Sequence, residues 1–211
     1  MTQPLPVNPM LDTRPRRNRI RPGWWRPLSL LGAFGTGACV APVADLRPPS
    51  ALVHDDRSFE IGGGVVNVGP RPYVSEAAHT EGQFWLTGRA TSWLSLTGVG
   101  AFDGRSGLGG IAALARYVTT DRFVAGIGAE GGYAWLGGSL SGAVRLFDDT
   151  WIYAAPRVSN WGIFAAPAVP FGVSARIYDG FHLRAEAQFS WQDAKYYNRR
   201  IHFAGAAVYQ W

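Results

Sequence analysis

Only one cysteine, Cys39, occurs in 211 residues, so no disulfide can form within the chain. Charge is sparse as well: 17% of residues are Asp, Glu, Lys or Arg, against about a quarter in ordinary soluble domains. Long apolar runs are missing too. The longest uncharged stretch after the N-terminal region, residues 158–175, "VSNWGIFAAPAVPFGVSA", carries two prolines and two glycines and does not read as a membrane helix. No metal-ligand spacing, phosphate loop or dinucleotide fingerprint is present, and "GIGAEGG" at 126–132 is a glycine-rich strand with no helix after it. These absences exclude a disulfide scaffold, a helical membrane protein and a standard cofactor or metal enzyme. No cofactor is expected.

What the chain does have is 27 glycines, 28 aromatic residues and 47% hydrophobic residues, a composition that suits short strands joined by turns. The formal net charge is +5, but it is concentrated near the start. Residues 14–26, "RPRRNRIRPGWWR", hold six arginines and no acid, and the charges from Cys39 onward balance. The basic excess therefore belongs to a leader and gives no reason to expect nucleic-acid binding. A short apolar run ending in small residues, "PLSLLGAFGTGA" at 27–38, follows it. Together they read as a secretory signal over residues 1–38; Arg16–Arg17 fits twin-arginine export poorly. "TGAC" resembles a bacterial lipobox, which implies lipidation of Cys39, although Thr36 stands where leucine is usual. Residues 39–56 are rich in Pro and Ala without periodicity and read as a linker.

From residue 57 onward the dominant period is two. In "FHLRAEAQFSWQ" (181–192), Phe181, Leu183, Ala185, Ala187, Phe189 and Trp191 alternate with His182, Arg184, Glu186, Gln188, Ser190 and Gln192. Ten such segments follow one another: 57–68, 81–90, 93–102, 108–118, 123–135, 139–147, 150–158, 164–177, 181–192 and 199–211. Tight turns "TS", "TTDR", "DD" and "YDG" close every second segment, and longer or glycine-rich connections alternate with them. An aromatic opens the strand after each tight turn: Trp93, Phe123, Trp151 and Phe181, spaced 30, 28 and 30 residues apart. Two strands of about ten residues plus two connections make such a repeat, and about 9–11 tilted residues cross a bilayer.

The polar faces are too thinly charged for a solvated exterior and are filled out with Gly, Ala and Ser. An inverted barrel fits better, with bulky apolar side chains outside and the charges in a narrow interior. That interior is expected to hold Glu60, Glu81, Arg89, Arg116, Glu130, Arg145, Arg176, Arg184 and Glu186 as a mutually paired plug. Arg157 shares parity with Trp151 and Tyr153, and Trp85 and Leu114 fall on polar faces; these positions fit the pattern badly.

The chain ends "RRIHFAGAAVYQW", with Ile201, Phe203, Ala207, Tyr209 and Trp211 on one face. This terminal aromatic pattern resembles the C-terminal signature of small bacterial outer-membrane β-barrel proteins. The resemblance implies an all-β, antiparallel up-and-down transmembrane barrel of about ten strands (eight or twelve as alternatives). It implies that the last strand pairs with the first, that the assembly machinery reads the last strand, and that lipid and lipopolysaccharide are the surroundings. Trp93, Phe123, Trp151, Phe181, Tyr209 and Trp211 would form the aromatic girdle.

Four functional readings follow: a plugged barrel with a structural or interaction role, a narrow pore, a lipid-modifying enzyme, and a soluble lipocalin-like barrel. For the enzyme, Ser190 could lie opposite His202, but no carboxylate of the right parity is near. His182 and His202 sit at opposite ends of their strand pair. The stretch "DAKYYNRR" (193–200) could meet lipid phosphates. No catalytic residue is assigned.

Overall fold

The computed structural model describes residues 45–52, 57–68, 78–102, 107–132, 135–161, 164–191 and 199–211. The signal segment, Cys39, the twin arginines and most of "DAKYYNRR" lie outside the described residues.

Eleven strands follow one another: β1 (Phe59–Val68), β2 (His79–Arg89), β3 (Leu94–Phe102), β4 (Gly107–Thr119), β5 (Phe123–Gly132), β6 (Trp135–Phe147), β7 (Thr150–Ala154), β8 (Arg157–Trp161), β9 (Phe164–Tyr178), β10 (Phe181–Trp191) and β11 (Arg199–Gln210). β7 and β8 both lie between β6 and β9 and form one stave interrupted at Ala155–Pro156. The break is shallow, because Pro156 O still accepts from Leu140 N and Ala155 N still donates to Pro170 O. The barrel thus has the ten staves expected from the sequence. Every neighbouring pair is antiparallel, and β1 pairs with β11 from Glu60↔Gln210 to Asn67↔Phe203, which closes the sheet. Among the described strands, closure leaves no open sheet edge.

The expected tight turns connect β2–β3, β4–β5, β6–β7 and β9–β10. Thr91 Oγ1 accepts from Leu94 N, and Thr120 Oγ1 accepts from Phe123 N. Asp148 (φ 43°) and Gly180 (φ 73°) supply the left-handed positions of the two shortest turns. Both ends of the barrel sequence meet at this same rim, where Ser58 N donates to Trp211 O at 2.9 Å.

One boundary differs from the sequence reading. "LGG" (136–138), expected as a connection, lies within β6, which begins at Trp135. Trp135 therefore opens β6 and points inward, at 5% exposure, instead of ending β5 on the outer face.

Candidate functional site: the lumen and its N-terminal segment

On β10 the alternation resolves as an inside-out barrel. Phe181, Leu183 and Phe189 are 37–47% exposed on the outer wall, whereas Arg184 and Glu186 are 3% and 4% exposed in the lumen. Ile61, Val65, Ile111, Ile127, Leu136, Leu140, Ile152 and Phe203 extend the apolar wall around the circumference. Large apolar side chains left in water forgo roughly 1.5–3 kcal/mol each, so this wall is built for an apolar surrounding. The arrangement is the reverse of a soluble lipocalin-like barrel with an apolar cavity. Trp93, Phe123, Phe181, Tyr209 and Trp211 stand exposed at the turn rim, and Phe59 and Tyr209 each stack on Trp211, with centroids 5.9 and 6.0 Å apart.

Trp151 is the exception among the expected girdle residues. It is 5% exposed, and Tyr153 is 4% exposed, both inside the barrel. The parity of Arg157 signals this: 151, 153, 155, 157 and 159 all point inward along the interrupted stave. Inward aromatics are accommodated by glycines on the neighbouring staves. A Cβ on Gly172 would lie 2.2 Å from the Tyr153 ring, and one on Gly62 would lie 2.2 Å from Trp85. Each ring also carries a polar tip that finds a carboxylate: Tyr153 Oη donates to Glu186 at 3.0 Å, and Trp85 Nε1 donates to Glu60 at 2.8 Å. Trp85 therefore belongs on the polar face where the alternation puts it.

The charge network divides into clusters. Glu60 receives both guanidinium nitrogens of Arg184 at 2.8 and 2.6 Å, together with Trp85 Nε1 and Gln210 Nε2, which fills a carboxylate's acceptor capacity. Glu130 pairs with Arg47 at 2.9 Å and with Arg157 at 3.6 Å. Glu81 accepts from Gln83 at 3.0 Å. Arg145 and Arg176 keep inward parity but depart from the expected lumenal network. They lie at the turn rim, with side chains 32% and 39% exposed, and share Asp149 from the turn that follows β6. They are near the strand ends, where the lumen opens to water.

Residues 45–52, read from the sequence as part of a linker, sit inside the barrel. The lumen holds them chiefly by their main chain. Glu186 accepts the consecutive N–H groups of Asp45 and Leu46, each at 2.8 Å. Arg184 donates to Leu46 O, Arg116 to Pro49 O and Ala51 O, and Arg89 to Leu52 O, at 2.6–3.0 Å. Ala51 N donates to Pro48 O, closing a turn with Pro49 at its second position, where the fixed φ of proline suits it. Arg47 also pairs with Asp45 at 2.8 Å. Burial opposes its charge, but Asp45 and Glu130 outweigh that effect and hold its pKa above the ordinary arginine value. The Leu46 side chain is fully buried in a small apolar cluster with Val66, Trp85 and Val208.

A cavity of ≈ 50 Å³ remains beside the segment, bordered by Ala112, Gly128 and Ser139 among others. It has room for a few waters. Ser190 and His202 do meet, 3.0 Å apart and both buried in the lumen wall. His182 lies at the other end of the pair, opposite Val208, while His202 lies opposite Gln188.

These features define a class: a closed, inside-out, up-and-down β-barrel with a polar lumen filled partly by its own N-terminal segment. No family model and no curated protein matches the chain. Among solved structures it is similar to the N-terminal β-barrel domain of Pseudomonas aeruginosa OprF, with 9% identity and a TM-score of 0.38, covering 74% of this chain and 98% of that one. It is also similar to a bacterial polysaccharide outer membrane secretin, with 9% identity and a TM-score of 0.37, covering 73% of this chain and 65% of that one.

Proposed function

We propose that the protein is an outer-membrane barrel of a Gram-negative bacterium, closed to solutes by residues 45–52 and the lumenal charge clusters, with a structural or interaction role. The observation that carries this reading is the inversion of the wall. Leu183 and Phe189 face outward on the same strand that buries Arg184 and Glu186, and only an apolar solvent makes that favourable. The strands fit as well: about eleven residues at ~3.3 Å each, tilted ~40°, rise roughly 28 Å, enough for the apolar band of such a membrane. Both barrel termini and the tight turns then face the periplasm, with the aromatic rim at that interface. The leader and Cys39 supply export and a second, lipid anchor in this reading.

The narrow cavity beside the segment favours a sealed barrel over a pore. Ser190 and His202 face the lumen and not the lipid, which favours a non-enzymatic role. The test is fractionation and reconstitution. The expected result is recovery in the outer membrane, a gel mobility that changes on boiling, and negligible conductance in planar bilayers. Recovery in the aqueous periplasm, or steady conductance from the unaltered protein, would overturn the reading.

A further inference from the structure

The lumen wall is complete without the segment that fills it. Four of the wall groups that hold residues 45–52, Arg184, Arg116, Glu186 and Glu130, also have a partner on the wall itself. Arg184 pairs with Glu60. Arg116 Nη1 donates to Ser95 Oγ at 2.9 Å. Tyr153 Oη donates to Glu186, and Arg157 faces Glu130. These groups stand on β4, β5 and β10, on different sides of the barrel. Removing the segment would leave Arg184 and Glu130 each facing an opposite charge on the wall, and Arg116 and Glu186 each with a hydroxyl partner.

The contacts also read chemistry more than sequence. Donor-only guanidinium groups meet carbonyl oxygens, and an acceptor-only carboxylate meets two N–H groups. Two adjacent prolines, Pro48 and Pro49, have no N–H to satisfy, so that stretch offers carbonyls alone. From the segment's side chains, Arg47 on Glu130 supplies the ionic contact with the wall and Leu46 an apolar anchor. The bound conformation is strained at both ends, because Leu46 (φ 50°) and Leu52 (φ 59°) adopt the left-handed region that non-glycine residues avoid. The wall contacts on either side of the turn hold that conformation in place.

We propose that the lumen is a peptide-binding site for a proline turn preceded by a cation and an apolar residue, with residues 45–52 as its resident, exchangeable occupant. A separate peptide of the same chemistry competes for the site once the resident is no longer held by its covalent link, which otherwise gives it a high effective concentration. The inference rests on the closed lumen but not on the membrane: the site can be assayed in detergent even if the barrel proves to live elsewhere.

The test uses the full chain with a protease site introduced within residues 53–56. The folded protein is purified in detergent, cut, and offered an excess of a labelled, acetylated and amidated peptide spanning residues 45–52. The expected result is that the resident fragment stays bound after cutting, is displaced by the peptide, and leaves a barrel whose mobility still changes on boiling. A peptide N-methylated at Leu46, which loses one of its two donors to Glu186, should bind at least tenfold more weakly, and so should one carrying Arg47→Ala. A peptide carrying Ser50→Ala should bind as the parent does. The proposal fails if cutting unfolds the barrel. It also fails if the folded, cut barrel takes up no peptide, or if N-methylation leaves binding unchanged.

Discussion

Glu60 and Arg184 form the most enclosed ion pair among the described residues, at 2.6 Å with side-chain exposures of 1% and 0%. Glu60→Gln keeps the shape but leaves a buried guanidinium facing a neutral amide, and Trp85 and Gln210 then compete for one oxygen. Arg184→Met leaves the Glu60 charge with two neutral donors and deprives Leu46 O and Ser174 Oγ of theirs. Breaking one side of a buried pair costs about 3–5 kcal/mol, because an uncompensated charge stays behind. Two independent losses would add to about 6–10 kcal/mol, but the double variant leaves no uncompensated charge at this pair and should lose no more than about 5 kcal/mol. The coupling should therefore be at least about 1 kcal/mol, and a value nearer 3 would be consistent with a fully desolvated pair. Equilibrium urea unfolding in lipid vesicles, followed by tryptophan fluorescence, measures all four corners of the cycle. Additive single losses, or single losses below about 1 kcal/mol like those of exposed pairs, would show that the lumen is wet and that these charges do not depend on one another.

Other consequences follow from the packing and the wall. Gly62→Val should prevent folding or cost several kcal/mol, because its Cβ would lie 2.2 Å from Trp85, whereas Gly63→Ala, with 3.8 Å to its nearest neighbour, should be tolerated; yields of heat-modifiable barrel distinguish them. Leu183→Arg should destabilise the reconstituted barrel by about 2–4 kcal/mol if it lies near the midplane of the apolar band, while Asp149→Asn at the rim should cost under about 1 kcal/mol; urea midpoints in vesicles report both. Joint replacement of Arg89 and Arg116 by alanine should loosen residues 49–52 and raise single-channel conductance above that of the unaltered barrel. Unchanged conductance would mean that the lumenal side chains seal the tube without the segment.

The sequence pattern discloses the barrel through alternation and the repeat of tight turns, both of which are local signals. On β10 the parity of twelve residues suffices to assign the faces. The interrupted stave is less legible: bulk places Trp151 in the outer girdle, and Arg157, which shares its parity and has no favourable place in an apolar wall, stands only as a misfit until the structure turns both inward. Inward aromatics depend on glycines across the sheet, such as Gly172 beside Tyr153, and that complementarity appears only once the register is known. The place of residues 45–52 leaves still less trace. Their contacts reach about 140 positions along the chain, to Arg184 and Glu186, and use main-chain groups that every residue has. Arg89 and Arg116 donate to carbonyl oxygens of the segment, acceptors that side-chain alternation does not reveal.

The odd-numbered face of β10 should meet lipid and the even-numbered face should not. Single cysteines can be placed in a Cys39→Ser background at positions 183, 185, 187 and 189, and at 188 and 190, then labelled with an environment-sensitive fluorophore and reconstituted with brominated lipids. The inside-out barrel predicts strong quenching at the four odd positions and little at the two even ones. Quenching at 188 and 190, or none along the whole strand, would contradict it.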